Sequence, residues 1–361
     1  MAIHSGIYIH WPFCRSKCPY CDFFSKVQKN VPQNKLVDEY LEDIEYYADV
    51  ADIKDIGSVF FGGGTPSLLS AYNVGRILDK IAKYWHLDKN AEISLEANPN
   101  TNHAGMFADL KAAGINRLSL GIQSLRPKEL KFLGRTHSLE DALYSAEEVL
   151  RLFDNHSADV IYALPNQTEA EWQSELLELC NLGFRHLSLY QLTIEDGTIF
   201  AKKGILPADE NVAAQLYELS NSLLAEHGYL GYEVSNYAQK GFECRHNKLY
   251  WQGDDYVGIG NGAHGRLHIG GKIFAVTHRR QLEELTSQER AEELLLMGLR
   301  LKEGIDKRHF AECCGVAFGN MINQIALKSF VQQNLLENTE RYLRATDAGI
   351  LVLNKIIEEL A

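Results

Sequence analysis

Apolar residues fall into two alternating patterns along the chain, and the alternation predicts its architecture. Short continuous apolar runs recur at Gly6–Trp11, Ser58–Phe61, Glu92–Pro99, Asn116–Ser124, Ala158–Pro165 and His186–Leu192. Such runs read as strands buried on both faces, as in a parallel sheet covered by helices. Between them apolar positions recur at helical spacing, first at Leu36, Val37, Tyr40, Leu41 and Ile44, then around Val74–Tyr84, Ala104–Ala113 and Leu139–Phe153. The count of strand–helix units is six. That makes an open, partial (β/α)6 barrel, because eight are needed to close the ring. Active sites in such barrels sit at the C-terminal ends of the strands. Polar residues near those ends, Glu96, Gln123, Asp159 and Gln191, are expected to ring one mouth. Taken singly, each is as well explained by a loop-tethering hydrogen bond.

Downstream the pattern changes twice. Val212–His227 is an amphipathic helix, and Gly228–Gly265 is a dense polar and aromatic stretch without helical period, which reads as a ligand-covering segment. From Glu289 the period is helical again, over Glu289–Leu301, Asp306–Cys313 and Asn320–Gln332. Leu335-Leu336 and Arg341–Arg344 then read as a hairpin, and Thr346 caps a last helix reaching Leu360. The fold class is therefore α/β, in three segments. Residues 1–210 form the partial barrel, 211–285 a helix and covering segment, and 286–361 a mainly helical, winged-helix-like domain.

Charge narrows the use of these segments. The formal net charge of −12 disfavours nonspecific binding to nucleic acid or anionic lipid, which needs surplus Lys and Arg to release counterions. From Glu289 to Ala361, nine Lys or Arg stand against eleven Asp or Glu, so DNA binding is the weaker use for the last domain. Apolar runs fall short of the ~18–20 residues of a spanning helix. Met1–Phe13 has neither a basic leader region nor a cleavage site, so a cytoplasmic protein is expected.

Seven cysteines bring in the chemistry. Cys180, Cys244, Cys313 and Cys314 are scattered, but Cys14, Cys18 and Cys21 lie on one short loop directly after the first strand. That is a metal-site pattern rather than a disulfide framework. Structural zinc is normally closed by four Cys or His ligands, and Asp22, Phe23 and Phe24 supply no soft donor, leaving an incomplete zinc site or a tight cysteine-rich turn as the bland alternatives. A [4Fe–4S] cluster normally takes four thiolates, so three leave one iron open to a non-protein ligand. The second strand runs into Gly62-Gly63-Gly64-Thr65-Pro66, where backbone N–H groups are free to approach a charged ligand. It is not a P-loop, since the closing Lys-Ser/Thr is missing.

CxxxCxxC with an aromatic residue before the last Cys resembles the radical S-adenosylmethionine (SAM) superfamily. There the open iron chelates the amino and carboxylate groups of SAM, and the glycine-rich turn contacts the amino group. Over nearly the whole chain the resemblance is closer. Tyr8–Cys14, Phe60–Ser67, Arg117–Ser124 and His246-Asn247-Lys248-Leu249-Tyr250-Trp251 look like the HemW family of heme chaperones, which itself resembles oxygen-independent coproporphyrinogen III dehydrogenase (HemN). The dehydrogenase carries an extra Cys where this chain has Phe23, and a longer leader before its cluster motif. HNxxYW, here His246 to Trp251, is the chaperone family's proposed heme-binding motif.

The resemblance implies roles by position. Cys14, Cys18 and Cys21 would hold a [4Fe–4S] cluster, and Tyr8, Tyr20, Gly64, Thr65, Glu96, Gln123, Arg135 and Asp159 would line the SAM pocket. His246 would contact heme b, with Asn247, Tyr250 and Trp251 beside it and Cys244 as an alternative ligand. Heme, heme-accepting respiratory proteins, an electron donor such as a flavodoxin and a cluster-dependent homodimer are the implied partners. Any membrane contact would come through such a partner. The alternative is a porphyrinogen decarboxylase that cleaves SAM to a 5′-deoxyadenosyl radical. Two departures stand out: Ala163-Leu164-Pro165-Asn166-Gln167-Thr168 replaces two glycines of GLPGQT, next to Asp159, and Gly265 stands where relatives often have Ser.

Overall fold

The computed structural model describes residues 5–99 and 105–361. Six expected strands are present: β1 (Ser5–Trp11), β2 (Asp55–Gly63), β3 (His86–Ala97), β4 (Arg117–Gln123), β5 (Asn155–Tyr162) and β6 (His186–Gln191). They lie side by side in that order, every pair parallel. Helices α1 (Gln33–Val50), α2 (Ala71–Tyr84), α3 (Met106–Ala112), α4 (Pro127–Phe132), α5 (Leu139–Leu152) and α6 (Glu169–Leu182) form the connections. The expected start of α3, Ala104, lies outside the described residues. Reciprocal capping boxes fix where α5 and α6 begin, Ser138 with Asp141 and Thr168 with Glu171. Ile7, Ile9, Val59, Leu95, Leu118, Val160 and Leu187 join Ile44, Ile77, Val149 and Leu176 of the helices in one core. The apolar runs are thus buried between sheet and helices, as their lack of alternation requires.

Much of the middle segment, expected as a covering layer, extends the sheet. After the short α7 (Ile199–Lys202), α8 (Glu210–Glu226) packs on the barrel core through Ala213, Leu216, Leu223 and Leu224. Strands β7 (Leu230–Gly231) and β8 (Asn236–Ala238) then add antiparallel to the β6 edge. Helix α9 (Arg245–Gln252) carries the chain across to the other edge, where β9 (Asp255–Ile259) pairs parallel with β1. Strands β10 (Gly265–Ile269), β11 (Lys272–His278) and β12 (Gln281–Glu284) continue antiparallel. Twelve strands result among the described residues, in the order β12-β11-β10-β9-β1-β2-β3-β4-β5-β6-β8-β7. The ends do not meet, so the barrel is open.

The last segment has its own core. Helices α10 (Ser287–Gly298), α11 (Lys307–Cys314) and α12 (Gln324–Gln332) precede the hairpin, and the closing helix is broken into α13 (Asp347–Ile350) and α14 (Leu353–Leu360). Leu294, Leu295, Phe310, Leu327, Leu343 and Ile356 pack together there. Strands β14 (Leu336–Asn338) and β15 (Tyr342–Ala345) form the expected hairpin, and β13 (Ile305–Asp306) adds an unexpected third strand, as wings do. No helix among the described residues is long and apolar enough to cross a membrane.

Candidate functional site

The cysteine loop leaves β1 at the C-terminal end of the barrel and is held on several sides. Phe13–Cys14 pairs with Lys26–Val27 and closes the loop at its base. The Pro19 carbonyl accepts the Phe200 N–H at 3.0 Å, and Gly134 presses against the Pro19 ring, where a Cβ would come within 2.5 Å of Cδ. His10 reaches the loop from β1. Burial keeps its imidazole neutral, so Nε2–H donates to the Phe24 carbonyl at 2.8 Å while Nδ1 accepts the Tyr8 hydroxyl at 3.0 Å.

Cys14, Cys18 and Cys21 then open onto one cavity of about 480 Å³. No three His, Cys, Asp or Glu side chains among the described residues stand at single-ion spacing, so the three sulfurs share a cavity wall rather than a bare-ion cage. Arg135 Nη1 lies 3.3 Å from Cys18 Sγ and donates to it. At the glycine turn, Gly64 N–H donates to the Trp11 carbonyl and Thr65 N–H to the Phe13 carbonyl, which docks the turn on the loop. A Cβ on Gly64 would stand 2.7 Å from the Phe13 oxygen and 3.0 Å from Cys14 Sγ, so only glycine admits this approach.

Two partly buried carboxyl groups face the same cavity. Gly63 N–H donates to Glu96 Oε2 at 3.2 Å, and Ser119 Oγ donates to both Asp159 oxygens at 2.9 and 3.0 Å. Burial, reinforced by Asp159, pushes the Glu96 carboxyl up to about 8, and burial raises Asp159 as well. Two carboxyls that resist ionisation together are suited to a cation that neutralises them.

Ten of the eleven residues expected here line the cavity: Cys14, Cys18, Cys21, Tyr20, Gly64, Thr65, Glu96, Gln123, Arg135 and Asp159. Tyr8 does not. Its ring lies inside the barrel with Phe60, Tyr232 and Cys244, and its hydroxyl reaches toward the site through His10. Asp159 lies within β5 rather than at its end. Asn98 was missed, although it follows Glu96 at the same strand end. Its Nδ2 donates to Thr65 Oγ1 at 3.1 Å and its Oδ1 accepts from Arg135, tying glycine turn to arginine. Tyr190 and Gln191, from the end of β6, complete the far wall.

Neither substituted glycine position lines the cavity, but both keep the backbone a glycine would favour. Ala163 has φ 55° and Asn166 has φ 64°. A left-handed L-residue costs roughly 1–2 kcal/mol, against about 0.5–1 kcal/mol of extra chain entropy for glycine. Ala163 is buried, and losing its methyl group costs about 0.8 kcal/mol, so Ala163→Gly should leave unfolding stability in denaturant unchanged to within about 0.5 kcal/mol.

The HNxxYW residues lie at the opposite end of the barrel. The Glu92 carboxylate accepts the N–H groups of Arg245 and His246, both at 3.2 Å, and anchors the start of α9 beneath the sheet. Buried Arg117 stands 4.0 Å from Glu92. His246 is 0% exposed, with Nδ1 2.7 Å from Ser58 Oγ and Nε2 2.8 Å from the Tyr250 hydroxyl. Burial, then Arg117, pulls its pKa down to about 3, so it is a neutral ring stacked on Phe60 at 5.2 Å. His246, expected to contact heme, is fully enclosed in this structure, with both ring nitrogens within hydrogen-bond distance of a hydroxyl. Cys244 is equally enclosed, and its thiol faces Glu92. Tyr250 packs edge-on against Tyr256, Asn247 is half-buried, and of the motif's expected heme contacts only Trp251 lines a second cavity.

Comparison with known proteins agrees with this architecture. Residues 8–179 match the model of the radical SAM superfamily, and 285–352 match that of the HemN C-terminal domain. The heme chaperone HemW of Escherichia coli is 36% identical, the alignment covering 98% of this chain and 97% of that one. The mitochondrial radical S-adenosyl methionine domain-containing protein 1 of Bos taurus is also 36% identical, covering 99% and 87%. Among solved structures, the coproporphyrinogen III oxidase HemN of Escherichia coli superposes with a TM-score of 0.80 at 20% identity, over 98% of this chain and 89% of that one, a likeness of fold. The chain belongs to the radical SAM superfamily and, within it, to the HemW family.

Proposed function

We propose that this protein is a heme chaperone that holds a [4Fe–4S] cluster and SAM and delivers heme b to hemoprotein acceptors. The observation that carries it is near-full-length likeness to proteins named as heme chaperones, at 33–36% identity. Phe23 agrees with this choice over a porphyrinogen dehydrogenase: it stands at the position of that enzyme's extra Cys, half-exposed at the cavity mouth.

The residues fit the implied cofactors. Three thiols and no fourth on the loop suit a cluster with one open iron, and glycine at 64 lets the turn pack directly against Cys14. When bound, SAM would present a sulfonium and an ammonium group to the open iron's surroundings. Glu96 and Asp159 would meet that positive charge, Arg135 would hold the Cys18 side of the loop, and the Gly63–Thr65 backbone would frame the amino end.

Cation binding should pull the proton off Glu96. SAM affinity is therefore expected to rise as pH increases through about 8, and Glu96→Gln should flatten the profile in calorimetric titrations at pH 6.5 to 9. Without SAM the sign is opposite. The folded state holds the Glu96 proton more tightly than the unfolded chain, so this carboxyl costs stability as pH rises from 4.5 through 8.

The chaperone reading is tested by transfer. Protein loaded with ferric heme and separated from free heme should convert an apo-hemoprotein to its holo spectrum faster than heme release to a scavenger allows. Transfer no faster than passive release would contradict it.

A further inference from the structure

With His246 sealed in the barrel floor, the second cavity supplies a different imidazole. It measures about 270 Å³ and lies where the end of α9 meets the C-terminal domain. Gly253 makes this junction possible: at φ 82° it turns the chain off α9 so tightly that a Cβ would fall 2.0 Å from Leu294. Trp251 forms one wall, and Phe310 and Tyr342 contribute further aromatic surface. The Trp251 indole N–H is buried without a hydrogen-bond partner, and the Arg300 guanidinium lies 5.9 Å from its ring centre.

His309 is the imidazole in this cleft. Its side chain is 30% exposed, and Nε2 is 3.0 Å from Oδ1 of Asp254, whose own side chain is only 3% exposed. Cys313 Sγ approaches the same nitrogen at 3.4 Å, and Glu312 lies 3.7 Å from Nδ1. Aromatic walls and a partly exposed imidazole suit a flat, apolar ring bearing a metal. Asp254, Glu303 and Asp306 are the carboxylates of its lining, and Glu303 is paired with Lys248 at 3.3 Å.

We propose that this cleft receives the edge of the heme macrocycle, with Trp251 against the ring and His309, not His246, as the imidazole that meets the iron. The inference rests on the heme reading above. On binding, His309 leaves Asp254, its Nε2 proton passes to solvent, and the freed lone pair bonds to ferric iron without change of oxidation state. The hydrogen bond from His309 Nε2 to Asp254 competes with ligation, since it occupies the nitrogen that would meet the iron.

Hemin titration of the full chain, followed in the Soret region, tests this. His309→Ala alone would strand the buried Asp254 carboxylate, so the informative variant is His309→Ala with Asp254→Asn. It should bind hemin at least about tenfold more weakly with a shifted Soret band, and added imidazole should restore the wild-type spectrum. Asp254→Asn alone should bind more tightly at neutral pH, an increase no merely structural role would produce. Wild-type affinity and spectrum in the double variant would overturn the site while leaving the chaperone reading intact. Failure of the wild-type chain to take up hemin stoichiometrically would overturn both.

Discussion

Alanine at Cys18 should give a folded protein that no longer holds its cluster. The side chain is only partly buried, and its polar contacts are with Arg135 and Tyr20. The loop itself is pinned by other groups: the Phe13–Cys14 pairing, the Pro19 carbonyl and the Phe24 carbonyl. Losing the thiol therefore removes one of only three ligands without removing what shapes the loop. Iron and sulfide after anaerobic reconstitution should fall below about a tenth of the wild-type content, because cluster binding depends on every thiolate in an already incomplete set. Far-ultraviolet circular dichroism should be unchanged. Wild-type iron content in this variant would contradict the assignment of the loop.

His246→Ala should instead damage the fold. The ring fills a sealed space between β1, β2 and α9, where Gly6 has no room for a Cβ, which would stand 2.5 Å from Leu249 and 3.1 Å from His246. Its removal leaves a cavity against Phe60 and takes partners from the Ser58 and Tyr250 hydroxyls. Cavity formation and two stranded polar groups together cost about 3–4 kcal/mol. Denaturant unfolding should show that loss whether or not heme is present. Unchanged stability with selective loss of heme binding would return His246 to the heme site.

The barrel was legible because its six parallel strands are buried on both faces and read as unbroken apolar runs. The cavity was legible for a similar reason: its chemistry is concentrated in the cysteine loop, the Gly62–Gly64 turn and the strand ends, all contiguous in sequence. What was not legible depends on contacts between distant segments. Strands β9 to β12 are short and mixed with glycine and polar residues, and the partner of β9 is the first strand of the chain. The sequence of α9 is rich in polar and aromatic residues and reads as a ligand-binding loop. Its Glu92 anchor, about 150 positions earlier, turns it instead into the floor of the barrel. Tyr8 shares a motif with the cluster loop, but strand alternation points its ring inward.

The deciding measurement puts cargo against substrate. Anaerobically reconstituted protein with SAM would be offered heme and coproporphyrinogen III in separate titrations, with the Soret band, 5′-deoxyadenosine and porphyrin products followed together. The expected result is stoichiometric heme uptake with no decarboxylation of the porphyrinogen. Turnover of the porphyrinogen without specific heme uptake would contradict the chaperone assignment and would mean that Phe23 does not distinguish chaperone from dehydrogenase in this chain.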